Sequence, residues 1–372
     1  MSDLDMCLEL PATSSMNAFE GENGSTAMAN LAEKLEEIGM VNVDKARLTA
    51  RIPVIKFFCP IKLSTPNSTG EDDVQMIECD ISMQNPLAVI NTALLRNYSV
   101  FPEVRILVAI IKRWAKSRDI NNPSNHTLSS YGYILMLLHF LTTHKASNNA
   151  IEMMYSKTDH GKVEITGCPI VPNLQWMNPN WLHSDLVCGY EELSVQPKNQ
   201  YTMMQHPSED SFLVNKYFFQ IASDEALINN IRRRVYYHES QTNPPSQGKP
   251  LIGRILAAFY HYYAFEFDYK KHIVTLQSHR HGTIEREAKG ENDSWKVYSQ
   301  TLCIEDPFET FYDVAHVLKP ATFSRMRREF ALAYTKIAQS FHKQNVQNDI
   351  VESDKFGERL LDSICEEIKD TI

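Results

Sequence analysis

The sequence has little that would hold it in a membrane or in an oxidising compartment. Its apolar runs, such as Tyr133–Leu138 and Leu107–Ile111, fall far short of the roughly 18 residues a membrane helix needs. No basic stretch opens the chain, since Met-Ser-Asp-Leu-Asp is acidic, so a secretory signal is not expected. There is no C-x-x-C. The seven cysteines, at 7, 59, 79, 168, 188, 303 and 365, are odd in number and scattered, which fits reduced intracellular thiols better than disulfides or zinc. Positive charge is not in excess either. With 37 Lys and Arg against 46 Asp and Glu the net charge is −9, so no global basic field gathers nucleic acid or acidic lipid. Any polyanion site must be a local patch. P-loop, zinc knuckle, RNA-recognition signature and internal repeat are all missing. What is there is ordinary globular material: 43% hydrophobic and 22% charged residues over 372 positions, enough for two domains or one large one and incompatible with a wholly disordered chain.

Ser2–Leu10 alternates polar and apolar with period two and predicts a half-buried strand. A Ser-, Gly- and Asn-rich loop follows over 11–26, then an amphipathic helix over Ala27–Ile38 stopped by Gly39. Arg51–Phe58, carrying Pro53, and Val74–Ser82 predict two more strands. From about 86 the pattern turns helical: Pro86–Asn97, Val100–Arg118 and Leu128–Thr143, then, after an elaborated loop region over 145–210, Phe212–Ile221, Glu225–Val235 and Gly253–Phe265. A strand over Ile273–Ser278, a long helix over Ser324–Lys343 and an acidic helix over 354–370 close the chain. The expected architecture is α+β, a small mixed-sheet domain over 1–85 and a larger, mostly helical domain over 86–372.

The sharpest chemical signal is Asp3-x-Asp5 on a strand. Alternation places the two carboxylates on one face, about 7 Å apart along the backbone. Acids held together this way repel unless a cation sits between them, and oxygen-only ligands suit Mg²⁺ or Mn²⁺. Asp80, on a neighbouring strand, would complete a two-metal site for phosphoryl or nucleotidyl transfer. On spacing alone a pair of solvated strand acids is the commoner case, since Asp-x-Asp occurs often.

Several stretches together resemble one family. Ser2–Leu8, Arg51–Lys56, Asp80-Ile81-Ser82 with Asn85 and Asn91-Thr92, Lys112–Lys116, Leu128–Tyr133, Phe267–Lys271 and Cys303–Glu309 are similar, in order, to the cytoplasmic poly(A) polymerases and terminal uridylyltransferases of the polymerase-beta-like superfamily. The resemblance implies a nucleotidyltransferase palm domain, a PAP-associated region over about 250–320, catalytic and metal-ligating roles for Asp3, Asp5 and Asp80, and two Mg²⁺ or Mn²⁺ ions. In that family the acids follow a Gly-Ser segment that holds the triphosphate. Here Gly24-Ser25 comes after them, so the expectation is a member truncated at its N-terminus, and an inactive RNA-binding remnant is the alternative of another class.

The same resemblance assigns the remaining candidates. Lys112 and Lys116, i and i+4 on a helix, would share the triphosphate, with Ser130 at the start of the next helix adding its free backbone N–H groups. Tyr131 would stack on the base, Asn85 and Thr92 would lie near the substrate, and Asn91 would bond the ribose 2′-hydroxyl. Asp306 and Glu309 would face the base edge. Some uridine-preferring members carry a His three residues beyond Glu309, where this chain has Tyr312, so adenylyl transfer from ATP is expected ahead of uridylyl transfer from UTP. Arg232, Arg233, Lys270 and Lys271 lie in dense cationic clusters that could track a single strand, though each cluster also fits a solvated face. The implied partners are an RNA 3′ end and ATP or UTP, with no membrane. The expected setting is a monomer in the cytoplasm, with the nucleus as the alternative.

Overall fold

The computed structural model describes residues 4–8, 25–50, 52–63, 73–83, 85–146, 151–153, 155–157, 163–165, 169–175, 201–204, 212–215, 218, 251–276, 284–285, 301–347 and 360–365. The chain divides into two compact units, one of residues 1–93 with 200–216, the other of 94–199 with 217–372. The division falls between Ala93 and Leu94, inside one continuous helix, where the sequence reading had put it at 85.

The first unit is built on a four-stranded sheet of order β1-β4-β3-β2: β1 (Leu4–Leu8), β2 (Val41–Asp44), β3 (Val54–Leu63) and β4 (Asp73–Met83). β1 runs parallel to β4, while β2–β3 and β3–β4 are antiparallel. One face is apolar. Ile55, Phe57, Cys79 and Met83 bury against Met28, Ala32 and Leu35 of helix α1 (Ser25–Glu37), which recur at i, i+4 and i+7 on a single helical stripe. Gly39, at φ +90°, ends α1 as expected: Met40 N donates to Leu35 O and Gly39 N to Glu36 O, the paired bonds of a Schellman motif. β2 was not foreseen. It is four residues long and interrupted by a register shift, with Asn42 at φ 53°, so it offers no run of alternation to read. Its brevity also explains Pro60 inside β3: β2 faces only Lys56–Phe58, so the N–H that proline lacks would have had no partner in β2.

The second unit is mostly helical. α2 (Pro86–Tyr98) leads into it, followed by α3 (Pro102–Ser117), α4 (Ser130–Thr143), α5 (Leu251–His261) and the long α6 (Pro320–Gln347). Side chains from four helices form its centre: Trp114 of α3 lies 6.0 Å from Tyr133 of α4, 4.8 Å from Tyr260 of α5 and 5.1 Å from Phe330 of α6, ring centre to ring centre. α4 is apolar nearly all round and buried from Leu135 to its end, the pattern of a central helix. α5 continues as one π turn over Tyr262–Glu266, closed by Phe267 N donating to Tyr262 O. Residues 360–365 are helical, within the acidic helix expected at 354–370.

One expected helix is a strand. Phe212–Asn215 (β6) pairs antiparallel with Tyr201–Met204 (β5), in place of the start of a helix over Phe212–Ile221. A short run dense in aromatic and β-branched residues does not distinguish the two by periodicity, and here a neighbouring strand supplies the missing partner. The helix expected over Glu225–Val235 lies outside the described residues. Of the expected strand Ile273–Ser278, Ile273 pairs with Ile284 in a short ladder of His272–Ile273 with Ile284–Glu285 and Val274 bridges to Ile304, while Gln277 and Ser278 lie outside the described residues.

Candidate active site

The acid face of the sheet is set by register. Asp5 stands opposite Asp80 in the parallel β1–β4 ladder, so the two carboxylates emerge side by side on the face away from α1. Asp3 lies outside the described residues. Asp80 is partly buried. Its Oδ2 lies 2.7 Å from Lys56 Nζ, and its Oδ1 is buried without a hydrogen-bond partner. Among the described residues no group of three or more His, Cys, Asp or Glu is assembled to hold a metal. The Asp5–Asp80 pair nevertheless fits a hard divalent cation: the donors are carboxylate oxygens, and Oδ1 of Asp80 is a buried acceptor with nothing to accept.

Directly after β4 the chain turns into α2. Asn85 caps that helix, its Oδ1 accepting from Ala88 N at 3.2 Å, and its backbone N–H points to Cys7 Sγ at 3.4 Å, tying β1 to the helix start. Asn91 is half-buried and Thr92 exposed, two and three residues past the first turn of α2.

The second unit gathers the other candidates. Lys112 and Lys116 are both exposed, one turn apart on α3. Ser129 caps α4 by accepting from Gly132 N at 3.2 Å, and Ser130 Oγ accepts from Asn121 Nδ2 at 2.9 Å. Tyr131 donates its phenol to Asp306 Oδ2 at 2.9 Å. Burial pushes the Tyr131 phenol well above its usual range, and the Asp306 and Glu309 carboxylates push it further, so it stays protonated. Asp306 Oδ1 meanwhile accepts from both Phe308 N and Glu309 N at 2.9 Å. Asp306, expected to face a base, therefore has both oxygens engaged inside the protein. It shapes the acidic loop and holds Tyr131 against it. Glu309, buried beside it, remains the candidate for contact with a base edge. Tyr312 closes the loop, its N–H donating to Glu309 O at 2.8 Å, and its ring lies 5.2 Å from the ring of His316. Lys270 and Lys271 are exposed at a turn organised by Asp268 Oδ1, while Arg232 and Arg233 lie outside the described residues.

The structure thus brings together Asp5 with Asp80, and Tyr131 with Asp306 and Glu309. Sequence reasoning missed three contributors. Lys56 was inside a quoted stretch, but only the register shows that it meets Asp80. Gln175 Nε2 donates to Pro307 O at 2.9 Å, and Thr275 Oγ1 donates to the buried Glu305 at 2.6 Å, both bracing the acidic loop from segments distant in sequence.

Comparison with known proteins adds to this geometry. Residues 1–100 match the family described as "Poly(A) RNA polymerase, mitochondrial-like, central palm domain", and residues 251–310 match "Cid1 family poly A polymerase". The chain is 26% identical over 293 residues to the terminal uridylyltransferase cid1 of Schizosaccharomyces pombe, an alignment covering 76% of this chain and 54% of that protein. It is 25% identical over 336 residues to the poly(A) RNA polymerase GLD2-A of Xenopus laevis, covering 90% of this chain and 48% of the relative. The chain therefore spans about half the length of these curated relatives. In fold it is similar to crystal structures of the Cid1 poly(U) polymerase, with a TM-score of 0.56 at 24% identity, over 98% of this chain and 81% of that one. With a palm sheet carrying paired acids and a matching PAP-associated region, the chain is similar over residues 1–100 and 251–310 to the poly(A) polymerases and terminal uridylyltransferases, which are nucleotidyltransferases.

Proposed function

We propose that the chain adds nucleotides to RNA 3′ ends without a template, with ATP as the preferred donor and AMP as the unit added. The observation that carries this reading is the in-register pairing of Asp5 and Asp80 on the face of the palm sheet away from α1, with Asp80 Oδ1 left as a buried acceptor. In the reaction the RNA 3′-oxygen loses its proton and bonds to the α-phosphorus, while the bond from that phosphorus to pyrophosphate breaks. Two Mg²⁺ or Mn²⁺ ions, when bound by Asp3, Asp5 and Asp80, supply neutralisation of the phosphate charge and a more acidic 3′-hydroxyl. The protein's own part is placement. Lys112 and Lys116 take the triphosphate charge together with the start of α4 at Ser130, where the positive end of the helix dipole favours an anion. Tyr131, held by Asp306, offers its ring to the base, Glu309 accepts from the base edge, and Asn91 reads the ribose hydroxyl. Lys270, Lys271, Arg232 and Arg233 would follow the RNA strand. A cytoplasmic site of action belongs to the same proposal, supported by Cys7, Cys59, Cys79, Cys303 and Cys365 forming no disulfide.

Preference for ATP rests on Tyr312, which stands where uridine-preferring relatives carry a His, since specificity often depends on one repulsive element. Uridylyl transfer is the second reading, favoured by the similarity to the uridylyltransferase of fission yeast. The test is extension of a single-stranded RNA primer with each nucleotide in parallel. Tails from ATP at least as long as those from UTP are expected. Long tails from UTP alone would establish the second reading, and no extension from a folded protein would favour an RNA-binding remnant.

A further inference from the structure

Lys56 has no part in the assignments above, yet it occupies a singular place on the acid face. In the antiparallel β3–β4 ladder it stands directly opposite Asp80, just as Asp5 does in the parallel β1–β4 ladder. The three side chains form one row, Asp5–Asp80–Lys56, across neighbouring strands about 4.8 Å apart. Lys56 Nζ reaches Asp80 Oδ2 at 2.7 Å, with the two side chains 29% and 21% exposed, and the other oxygen of that carboxylate is buried and unpartnered.

We propose that Lys56 is a positioning residue for the catalytic acids: it fixes the Asp80 carboxylate and offsets its charge, so that Oδ1 alone is presented to a divalent cation shared with Asp5. The proposal rests on the reading of Asp5 and Asp80 as cation ligands. A carboxylate next to another on a sheet would swing apart to relieve repulsion. An ammonium clamped on one oxygen from the far side prevents this, because turning Asp80 away would break the ion pair. Fully exposed pairs contribute little, but both members here are largely covered, and the geometry is a single short contact. The same positive charge opposes an incoming cation. Affinity for the ion alone is thereby kept low, and the phosphates of a nucleotide supply the missing negative charge when ion and nucleotide arrive together.

The experiment uses the full chain and Mn²⁺ without nucleotide, following loss of the free-ion electron paramagnetic resonance signal, alongside thermal unfolding in EDTA. Lys56→Met should bind Mn²⁺ about tenfold more tightly, the Coulomb effect of one unit charge on a nearby dication. Its Tm in EDTA should fall and be restored by Mn²⁺, while Lys56→Arg tracks the wild type in both measurements. If Lys56→Met does not fold, Lys56→Gln makes the same change of charge with a polar side chain. An unchanged Mn²⁺ affinity in a folded, charge-neutral variant overturns the proposal even if the wild type binds Mn²⁺ and extends RNA. If Asp5→Asn leaves wild-type Mn²⁺ binding unaltered, the cation reading of the acids fails, and the role of Lys56 with it.

Discussion

With its phenol donated to Asp306 at 2.9 Å, Tyr131 cannot turn its ring without depriving a buried carboxylate oxygen of its donor, so the ring is held in place by the acid that shapes the loop. Tyr131→Phe keeps the ring and removes the donor. It should cost about 1–2 kcal/mol in chemical denaturation, the penalty of one unsatisfied buried acceptor, and an unaltered midpoint would show the contact to be incidental. Two histidines of the second unit make a different prediction. His144 Nδ1 faces Phe140 O at 2.9 Å and His139 Nδ1 faces Thr275 O at 2.9 Å, while the Nε2 of each is buried without a partner. Burial lowers His139 to about 4 and His144 to about 3. Folded pKa values below the unfolded one mean that the unfolded chain binds more protons. The stability these rings contribute is therefore complete above about 6.5 and is lost as pH falls towards 4 and then 3. Between pH 7 and pH 5 each should cost about 2 kcal/mol, visible as a falling denaturation midpoint, and His144→Phe should flatten that slope.

At the scale of elements, what could be read from the sequence was what depends on near neighbours. The stripe of Met28, Ala32 and Leu35 and the stop at Gly39 are local facts, and α1 appears within two residues of its expected start. Gly39→Ala tests that stop cleanly, because no atom lies within 4 Å of the added carbon and only the backbone at φ +90° objects. A loss of about 1 kcal/mol is expected, and a neutral result would mean that the turn relaxes freely. What depends on partners was not legible. Phe212–Asn215 (β6) reads as helix in the sequence because its apolar run is short and its partner Tyr201–Met204 (β5) is as unmarked as itself. The meeting of Lys56 with Asp80 depends on the register of a hairpin whose connecting loop fixes no count, and the capping by Asp306 depends on how the loop folds back onto its own N–H groups.

For the whole molecule, alternation placed Asp3 and Asp5 on one face of a strand, the resemblance to the family added Asp80, and the ladder pairs Asp5 with Asp80. The order of the motifs, rather than any one of them, pointed to the family; the matched regions at residues 1–100 and 251–310 hold the motifs from Ser2 to Thr92 and from Phe267 to Glu309, while Lys112–Lys116 and Leu128–Tyr133 lie between them. The helical unit was legible as a set of helices but not as an aromatic core around Trp114, which exists only once four helices have met. The measurement that bears most directly on the account is incorporation of labelled AMP into a single-stranded RNA primer by the wild type and by Asp80→Asn, each with its fold verified by thermal unfolding. Loss of one ligand oxygen's charge from the acid pair should reduce incorporation at least a hundredfold, more than about 2.7 kcal/mol of transition-state stabilisation. Incorporation by Asp80→Asn at the wild-type rate would contradict it.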